Sequence, residues 1–428
     1  MTTRIKRKII VWAGALALAA ASAQVWADVY NVTNAQELQT ALTLAAGNGA
    51  PTNTIYLWPA YYIGNFNYNS TTPSSLIVSA GPGLTNGQVA LDGGGTWRDM
   101  NLASTGMGSI TVNGLTFLRN CGSSTIGALR VAAGANANIL VENCQFLSPT
   151  NSSGMGVEIG SALNAAVANC VVAGLGGQGS GISAVGVTGT FSLQGCAVST
   201  NTCSENTYSE SGYGGLAGGG VFIDIAGAAS LAGNTFAGNF ANSYGGAVCC
   251  MGPLALTNNT FTANTCNSYY EAGGAVLCLG PATLAGNTFT ANSILQGNGG
   301  GGAAYLLSSA VVIGNTFANN WVNGGATGGG LCVLGSPATV IGNTFFENWT
   351  RSGSGGGLYC NASSSLLVGN TFAGNGAGGG YGAGVFIYGY GAAISTVSSN
   401  VFLANASGLG GEDFMTTAKQ RPSRTTLS

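Results

Sequence analysis

This sequence of 428 residues contains no histidine, and it has only 11 Lys+Arg and 13 Asp+Glu residues. Without an imidazole, a Ser-His-Asp triad, a Cys-His pair and a His metal ligand are all excluded. The scarcity of basic residues argues against a nucleic-acid partner. The C-x-x-C spacing typical of cysteine metal sites is absent from the sequence. A Gly174-x-Gly176-x-x-Gly179 match to nucleotide-binding loops is expected by chance among 73 glycines. We therefore expect no nucleic acid, nucleotide, metal or cofactor.

The first 27 residues have the pattern of a targeting segment. Four basic residues between Arg4 and Lys8 precede an apolar run from Ile9 to about Ala21, and Val25-x-Ala27 offers small residues for cleavage. This pattern predicts a secretory signal peptide over 1–27, and hence a secreted or cell-surface protein with outer-membrane association as one option. The alternative is an uncleaved anchor helix, because the apolar stretch is marginally long enough to span a bilayer.

A short helix is expected just after this segment. Asn34 and Glu37 have the spacing of a helix N-cap and its third helical residue, and Gly47 is a natural stop. Leu38, Ala41, Leu42 and Ala45 recur on one face of such a helix. We expect residues 28–50 to cap the open end of a β array.

The body of the chain is a repeat. Seven phenylalanines, spaced 25 to 30 residues apart, each follow one Asn by two positions and precede a second Asn by three. The phenylalanines are Phe236, Phe261, Phe289, Phe317, Phe345, Phe372 and Phe402. Degenerate copies occur upstream at Phe117, Phe146, Val172 and Val198. This period, with short strands and glycine turns, predicts a parallel β-solenoid over 51–411 and a non-repetitive tail over 412–428.

Stacked repeats bring equivalent residues to within ~4.8 Å of one another in successive turns. The phenylalanines should then form one apolar column and the asparagines two ladders, whose role we expect to be structural. Cys144, Cys170 and Cys196 are 26 residues apart and fall in a column that Asn occupies later, so they should be small buried substitutes. Cys250 and Cys278 should share a strand column.

The repeat resembles a known family. The Gly-Gly-Ala-Val runs at 245–248 and 273–276, with Phe-x-x-Asn, resemble the repeats of polymorphic outer-membrane proteins. More widely they resemble the right-handed parallel β-helix family, which includes pectate-lyase-like folds, and the resemblance covers about residues 28–410. It implies an all-β, right-handed parallel β-helix of about a dozen rungs with a short N-terminal capping helix. Adhesins, glycan enzymes and matrix proteins share this coil.

The sequence gives little support for catalysis. Pectin hydrolases of this fold use clustered Asp with His, and related lyases use Ca²⁺-binding carboxylates with an Arg or Lys base. Here Asp92 and Asp99 flank a segment ending in Arg98 and could pair with it, although a structural turn explains them as well. A two-carboxylate glycosidase would need convergence of Glu205, Glu210 and Glu271. We therefore expect a protein that is not an enzyme and assign no catalytic residue.

Aromatic residues collect in the segments between each second Asn and the next glycine run. Because equal rungs must stack, these segments should emerge along one edge, and aromatic faces suit sugar rings and protein hot spots. The alternative is that the rings only pack the segments onto the coil. The predicted binding residues are Tyr208, Tyr213, Phe240, Tyr244, Tyr269, Tyr270, Trp321, Trp349 and Tyr381.

These observations favour an exported, adhesin-like binding protein whose partner is a carbohydrate or a cell-surface macromolecule. The alternative is a polysaccharide lyase or glycoside hydrolase of the pectate-lyase-like class. A third hypothesis, ice binding, rests on a column of threonines from Thr235 to Thr371 that has no second Thr rank beside it. The sequence also predicts that Arg130 and Glu158, each between apolar residues, stack as an outward ion pair.

Overall fold

The computed structural model describes most of the chain after the predicted signal peptide. The described residues are 27–95, 98–118, 127–148, 154–177, 179–204, 218–268, 272–297, 299–335, 337–362, 364–389, 394–417 and 419–420. They form one helix, α1, and four sheets, A to D, in which every strand pairs in parallel with its neighbours. Each sheet takes one strand from each successive turn of the chain, so the turns stack as the rungs of a coil.

Sheets A and B form two sides of the coil. Sheet A comprises Asp28–Val32, Thr52–Leu57, Ser75–Ala80, Ile110–Asn113, Asn138–Glu142, Asn164–Ala168, Phe191–Gln194, Ala229–Ala232, Leu254–Thr257, Ala282–Ala285, Ala310–Ile313, Ala338–Ile341, Ser364–Val368, Ile394–Ser398 and Lys419–Gln420. Sheet B comprises Ala60–Ile63, Val89–Asp92, Thr116–Leu118, Gln145–Leu147, Val171–Ala173, Ala197–Ser199, Thr235–Ala237, Thr260–Thr262, Thr288–Thr290, Thr316–Ala318, Thr344–Phe346, Thr371–Ala373 and Val401–Leu403.

Sheets C and D complete each rung. Sheet C comprises Phe66–Ser70, Met100–Ser104, Gly127–Ala132, Met155–Ile159, Ile182–Val185, Val221–Asp224, Val248–Cys250, Val276–Cys278, Ala304–Leu306, Leu331–Gly335, Leu358–Ala362, Val385–Tyr388 and Phe414–Thr416. Sheet D comprises Gly176–Gly177, Thr202–Cys203, Phe240–Ala241, Thr265–Cys266, Ser293–Ile294, Trp321–Val322, Trp349–Thr350, Gly376–Ala377 and Ala406–Ser407. Among the described residues, the rungs before Gly176 have three sides, and sheet D adds a fourth side between sheets B and C from Gly176 onward.

The coil is longer than the predicted repeat region 51–411. At its start, Asp28–Val32 already pairs with Thr52–Leu57, and at its end Phe414–Thr416 and Lys419–Gln420 pair with the preceding rung. The predicted segments between rungs also need a correction, because each begins with a two-residue strand of sheet D rather than a loop. Two-residue strands give no alternation of polar and apolar residues that a sequence pattern could show.

The helix caps the coil as predicted. Helix α1 spans Ala35–Gly47, and its N-terminus is closed by Asn34, whose Oδ1 accepts from Glu37 N at 2.9 Å. The Glu37 carboxylate in turn accepts from Thr33 N at 2.9 Å, which fixes the entry of the chain. The predicted apolar face is fully buried, so the helix covers the first rung with the residues Leu38, Ala41, Leu42 and Ala45.

The inside of the coil is a column of stacked phenylalanines. From Phe236 to Phe372, rings in adjacent rungs lie parallel, with centroids 4.7–4.8 Å apart, and each ring is buried. Burial of one such side chain stabilises the fold by about 1.5–3 kcal/mol. The predicted phenylalanine column is thus confirmed, and its length gives the coil one continuous core.

Two asparagine ladders run beside this column. The amide of Asn315 donates to Asn343 Oδ1 at 3.0 Å and to Leu284 O at 2.9 Å, while Asn315 Oδ1 accepts from the amide of Asn287 at 2.9 Å. Asn320 makes the corresponding bonds in the second ladder. Both side chains are buried, and the amides satisfy backbone carbonyls at the turns, so the expected structural role is confirmed.

Cysteines replace asparagine at the start of the first ladder. The backbone N–H of Cys144 faces Cys170 Sγ at 3.4 Å, that of Cys170 faces Cys196 Sγ at 3.4 Å, and Cys196 N donates to Asn234 Oδ1 at 2.9 Å. This confirms the predicted substitution in the column. Cys250 and Cys278 also pair in register on sheet C, as expected, and all five of these cysteines are buried free thiols.

The glycine runs before sheet C allow the rungs to approach closely. A Cβ placed on Gly246 would lie 2.1 Å from Gly274 O, and one placed on Gly274 would lie 1.9 Å from Gly302 O. No other residue fits at these positions without moving the backbone of the next rung. The repeated Gly-Gly run is therefore a requirement of stacking, in addition to its role in turning the chain.

Candidate functional site

The structure separates the nine predicted binding residues. Four of them, Tyr208, Tyr213, Tyr269 and Tyr270, lie outside the described residues. The other five belong to two different surfaces. Phe240, Trp321 and Trp349 begin strands of sheet D, whereas Tyr244 and Tyr381 lie in the segments that lead from sheet D to sheet C.

On sheet D, the aromatic residues occupy one column. Trp321 pairs in register with Trp349 of the next rung, and Phe240 lies three rungs away in the same column, beyond Thr265 and Ser293. The residues that follow them in each strand, such as Ala241 and Val322, are buried, so the aromatic side chains point outward. The equal spacing of the repeat thus places Trp321 and Trp349 about 4.8 Å apart along the coil.

Trp349 is the more open of the two tryptophans. Its side chain is 40% exposed, and it lies against the next rung, where a Cβ on Gly376 would meet Trp349 Cδ1 at 2.4 Å. The glycine therefore leaves room for the indole to rest on the surface of the coil. An indole supported in this way offers an aromatic platform to a ligand at little cost in side-chain entropy.

Tyr244 and Tyr381 instead pack near the outer face of sheet C. That face carries a second apolar cluster, buried outside the coil and formed by Cys249, Leu277, Tyr305 and Cys332, against which Tyr244 packs. The ring centroids of Tyr381 and Phe386 are 6.4 Å apart, although Tyr381 is 38% exposed. Tyr244 therefore packs its segment onto the coil, as the alternative explanation expects.

A charged cluster lies on the same sheet nearer its N-terminal end. Arg130 pairs in register with Glu158, and Arg130 Nε lies 2.9 Å from Glu158 Oε1. The predicted ion pair is confirmed. This pairing is shifted by one residue relative to the pairing of Phe117 with Phe146, which are in register on sheet B.

Arg98 joins this ion pair from two rungs away. Its Nη2 lies 2.8 Å from Glu158 Oε2, so one carboxylate bridges two guanidinium groups. Arg130 Nη1 also donates to Asn101 Oδ1 at 3.4 Å. Sequence reasoning missed the Arg98–Glu158 contact, and no local signal identifies it, because it depends on the path of the segment before Met100.

The two aspartates that flank this segment form a turn. Asp92 Oδ1 accepts from Gly94 N at 2.7 Å, and Asp99 Oδ1 accepts from Gly93 N at 2.7 Å. Tyr61 also donates its hydroxyl to Asp92. Burial raises the pKa of Asp99 to about 9, so its carboxyl is protonated at neutral pH. The turn was one of the two expectations for Asp92 and Asp99, whereas the described partner of Arg98 is Glu158.

The threonine column lies on the outward face of sheet B. It is in register over six rungs, from Thr235 to Thr371. The neighbouring outward column carries threonine at Thr262 and Thr290, and alanine or phenylalanine in the other rungs of this stretch. Ice binding stays a prediction, which a measurement of thermal hysteresis on the purified protein tests.

The comparisons with known proteins agree with this architecture. The model of the right-handed β-helix region family matches residues 287–413. With the all-parallel coil of about a dozen rungs, this confirms the predicted fold of a right-handed parallel β-helix. The more specific likeness to polymorphic outer-membrane proteins stays a prediction. A comparison with curated proteins finds no significant match.

Two solved structures are similar to this chain at low identity. One is a mannuronic acid-specific family 6 polysaccharide lyase from human gut microbiota, with 14% identity, a TM-score of 0.45, and coverage of 92% of this chain and 91% of that chain. The other is the A-module of the Azotobacter vinelandii mannuronan C-5 epimerase AlgE6, with 11% identity, a TM-score of 0.31, and coverage of 91% of this chain and 95% of that chain.

One expectation from the sequence is corrected at this point. We expected a protein that is not an enzyme, and that expectation is overturned because both solved structures are carbohydrate-active enzymes. Within the described ranges, no helix is long and apolar enough to cross a membrane. In the same ranges, the Cys, Asp and Glu side chains form no group of three that could hold a metal ion.

Proposed function

We propose that this is an exported, carbohydrate-active protein that binds a polysaccharide along its coil and acts on the bound chain. The observation that supports the proposal is the outward pairing of Trp321 and Trp349 in adjacent rungs of sheet D. Sugar rings present apolar C–H faces that stack on aromatic side chains, and indoles held on a rigid scaffold lose little entropy when they bind. The sugar chain would run parallel to the coil axis, across successive rungs.

The column around the tryptophans suits an extended ligand. Toward the N-terminus it carries the small polar residues Ser293 and Thr265, and toward the C-terminus it carries Gly376 and Ala406. The hydroxyls of Thr265 and Ser293 hydrogen-bond to each other at 3.1 Å. The small residues of the column leave the indoles raised above its surface. We therefore place the polysaccharide over Trp321 and Trp349, rather than over the packed ring of Tyr244.

The test is a glycan array run alongside a polysaccharide-degradation screen on the same sample. The double variant Trp321→Ala/Trp349→Ala should bind the best polysaccharide at least about tenfold more weakly, because aromatic anchors of this kind dominate binding energies. Phe346→Ala is the matched control: it removes an exposed aromatic ring from the same rung, but from sheet B. This control should leave binding unchanged.

Two results would contradict the proposal. The wild-type protein could neither bind nor degrade any polysaccharide in either assay. Alternatively, the folded tryptophan variant could retain full affinity, which would move the sugar site away from sheet D. Degradation by the wild-type protein identifies the reaction class from the new chain ends, since elimination leaves an unsaturated sugar and hydrolysis does not.

A further inference from the structure

The charged residues of the later rungs are concentrated at one tryptophan. Residues 225–411 contain only three charged residues, Glu271, Glu347 and Arg351. Glu271 lies outside the described residues, and the other two lie two positions before and two positions after Trp349. A long stretch with almost no charge therefore places a carboxylate and a guanidinium on either side of an exposed indole.

These three side chains point outward from the same rung. Asn348 and Thr350, which alternate with them, are fully buried, whereas Glu347, Trp349 and Arg351 are exposed. Alternate residues of an extended segment are about 6–7 Å apart, so Arg351 follows Trp349 directly on the outer surface of the coil.

The preceding rung repeats this arrangement with amides in place of the charges. Trp321 pairs in register with Trp349, and Asn319 and Asn323 lie two positions to either side of Trp321. Asn319 and Glu347 occupy the same left-handed turn position, with φ values of 55° and 52°. Each tryptophan is therefore flanked on both edges by side chains that can form hydrogen bonds.

This polar–tryptophan–polar pattern ends at the neighbouring rungs on both sides. The corresponding residues are Ala291, Ser293 and Leu295 in the rung before, and Gly374, Gly376 and Gly378 in the rung after. The hydrogen-bonding groups beside the indoles thus belong to two adjacent rungs and are not a general property of sheet D.

The flanking side chains extend along the coil axis. A Cβ on Gly374 would meet Glu347 Cγ at 3.2 Å, so this side chain lies over the following rung, as the indole of Trp349 does. Arg351 Nη1 instead donates to Asn323 Oδ1 at 3.0 Å in the preceding rung. Within the described part of the chain, this is the one side-chain hydrogen bond of Arg351, and the Glu347 carboxylate makes none. Both groups therefore retain hydrogen-bonding capacity for a ligand.

We propose that the side chains flanking the two tryptophans recognise the hydroxyl groups of stacked sugar rings and select a neutral polysaccharide. These side chains are Asn319, Asn323, Glu347 and Arg351. The inference rests on the proposed function and names the substrate class. A carboxylate accepts hydrogen bonds from sugar hydroxyls, and guanidinium and amide N–H groups donate to them. Because the formal charges of Glu347 and Arg351 cancel, an acidic chain finds no net electrostatic attraction at this site.

The experiment measures the affinity of three oligosaccharides of equal length: a neutral glucan, a neutral mannan and an oligouronate. The variants are Glu347→Gln and Arg351→Gln, with Glu412→Gln as a control that removes an exposed carboxylate elsewhere in the coil. Each of the first two should weaken binding of the preferred neutral chain about tenfold, the size expected for one charge-assisted hydrogen bond. The control should leave the affinity unchanged.

The two variants should also change the selectivity in opposite directions. Glu347→Gln leaves the positive charge of Arg351 unopposed, so affinity for the oligouronate relative to the neutral chain should rise. Arg351→Gln leaves the negative charge of Glu347 unopposed, so the same ratio should fall. A general loss of structure cannot produce opposite changes, and a shift of both variants in the same direction would overturn the inference.

The remaining outcomes separate this inference from the proposed function. Tighter binding of the oligouronate than of either neutral chain by the wild type overturns the neutral class, and equal losses with Glu412→Gln overturn the site. If Trp321→Ala/Trp349→Ala loses binding of every chain while Glu347→Gln and Arg351→Gln bind like the wild type, the proposed function stands and this inference fails. If the wild type binds no polysaccharide, both fail.

Discussion

The side chain of Asn405 donates to Asp413 Oδ1 at 3.0 Å. Asn405 is the last asparagine of the second ladder, and its Oδ1 accepts a hydrogen bond from Asn375 Nδ2 of the preceding rung at 2.9 Å. In every earlier rung of this ladder from Asn239 onward, the amide N–H groups point to the carbonyl oxygen of the next asparagine. A carboxylate therefore takes the position of the next acceptor and satisfies the donor that the final rung would leave open.

This arrangement predicts a small but measurable effect at the end of the coil. Asp413→Ala should lower the free energy of unfolding by about 1 kcal/mol, because it removes one hydrogen bond at a partly exposed site. The loss should be smaller than that caused by removing an asparagine in the middle of the ladder. Urea denaturation measures both, and an equal or larger loss for Asp413→Ala would contradict the assigned role.

The middle of the first ladder gives the larger effect. Asn315→Ala removes the acceptor of the Asn287 amide and the donor to Leu284 O, all in the buried interior. It should therefore lower the free energy of unfolding by roughly 1–3 kcal/mol. Asn323→Ala, which removes an asparagine from the surface, is the control and should change stability little. Equal melting temperatures for the two variants would mean that the ladder does not stabilise the coil.

Close stacking of the glycine runs is tested by a pair of Gly→Ala variants. Gly274→Ala forces a methyl group against Gly302 O and should cost about 3 kcal/mol or more. Gly314→Ala has open space around it, with only its φ of 62° to strain the new side chain, and should cost about 1–2 kcal/mol. Chemical denaturation distinguishes the two cases, and the reverse order would show that backbone conformation dominates.

The buried carboxyl of Asp99 predicts an unusual dependence of stability on pH. Its pKa is raised to about 9 in the folded protein, from an ordinary value of 3.8, because burial disfavours the charged form. Between these values the folded state binds more protons at this site than the unfolded state does. The contribution of Asp99 to stability should therefore decrease as pH rises from about 4 to 9.

Asp99→Asn removes this titration. The variant should lose the Asp99 part of the pH dependence, and its stability relative to the wild type should increase as pH rises through this range. Thermal melts of both proteins between pH 5 and pH 8 provide the measurement. A constant difference between the two melting temperatures across these pH values would rule out the raised pKa.

Much of the fold could be predicted from the sequence because the repeat is regular. The Phe and Asn columns, the cysteine substitutions and the helix starting after Asn34 follow from spacing alone, since equal rungs must stack. Even the Arg130–Glu158 pair was accessible from the alternation of polar and apolar residues around each side chain.

The charged cluster of Arg98, Arg130 and Glu158 could be predicted from the sequence only in part. Arg98 reaches Glu158 across two rungs from an irregular segment, and the periodicity of the strands contains no information about such a path. Sheet D was missed because its strands have two residues each. The spacing of Trp321 and Trp349 already implies that they pair. The outward direction of their side chains, however, follows only from the strands of sheet D.

The glycine, phenylalanine and asparagine columns also make the coil modular. Every contact described within these three columns is made to the rung directly before or after it, so their contribution to stability grows with each added rung as a sum of neighbour terms. Removal of one complete repeat, such as 288–315, would rejoin matching surfaces and shorten the protein by about 4.8 Å. The number of repeats between them therefore sets how far apart the charged cluster and the tryptophan pair lie along the coil axis.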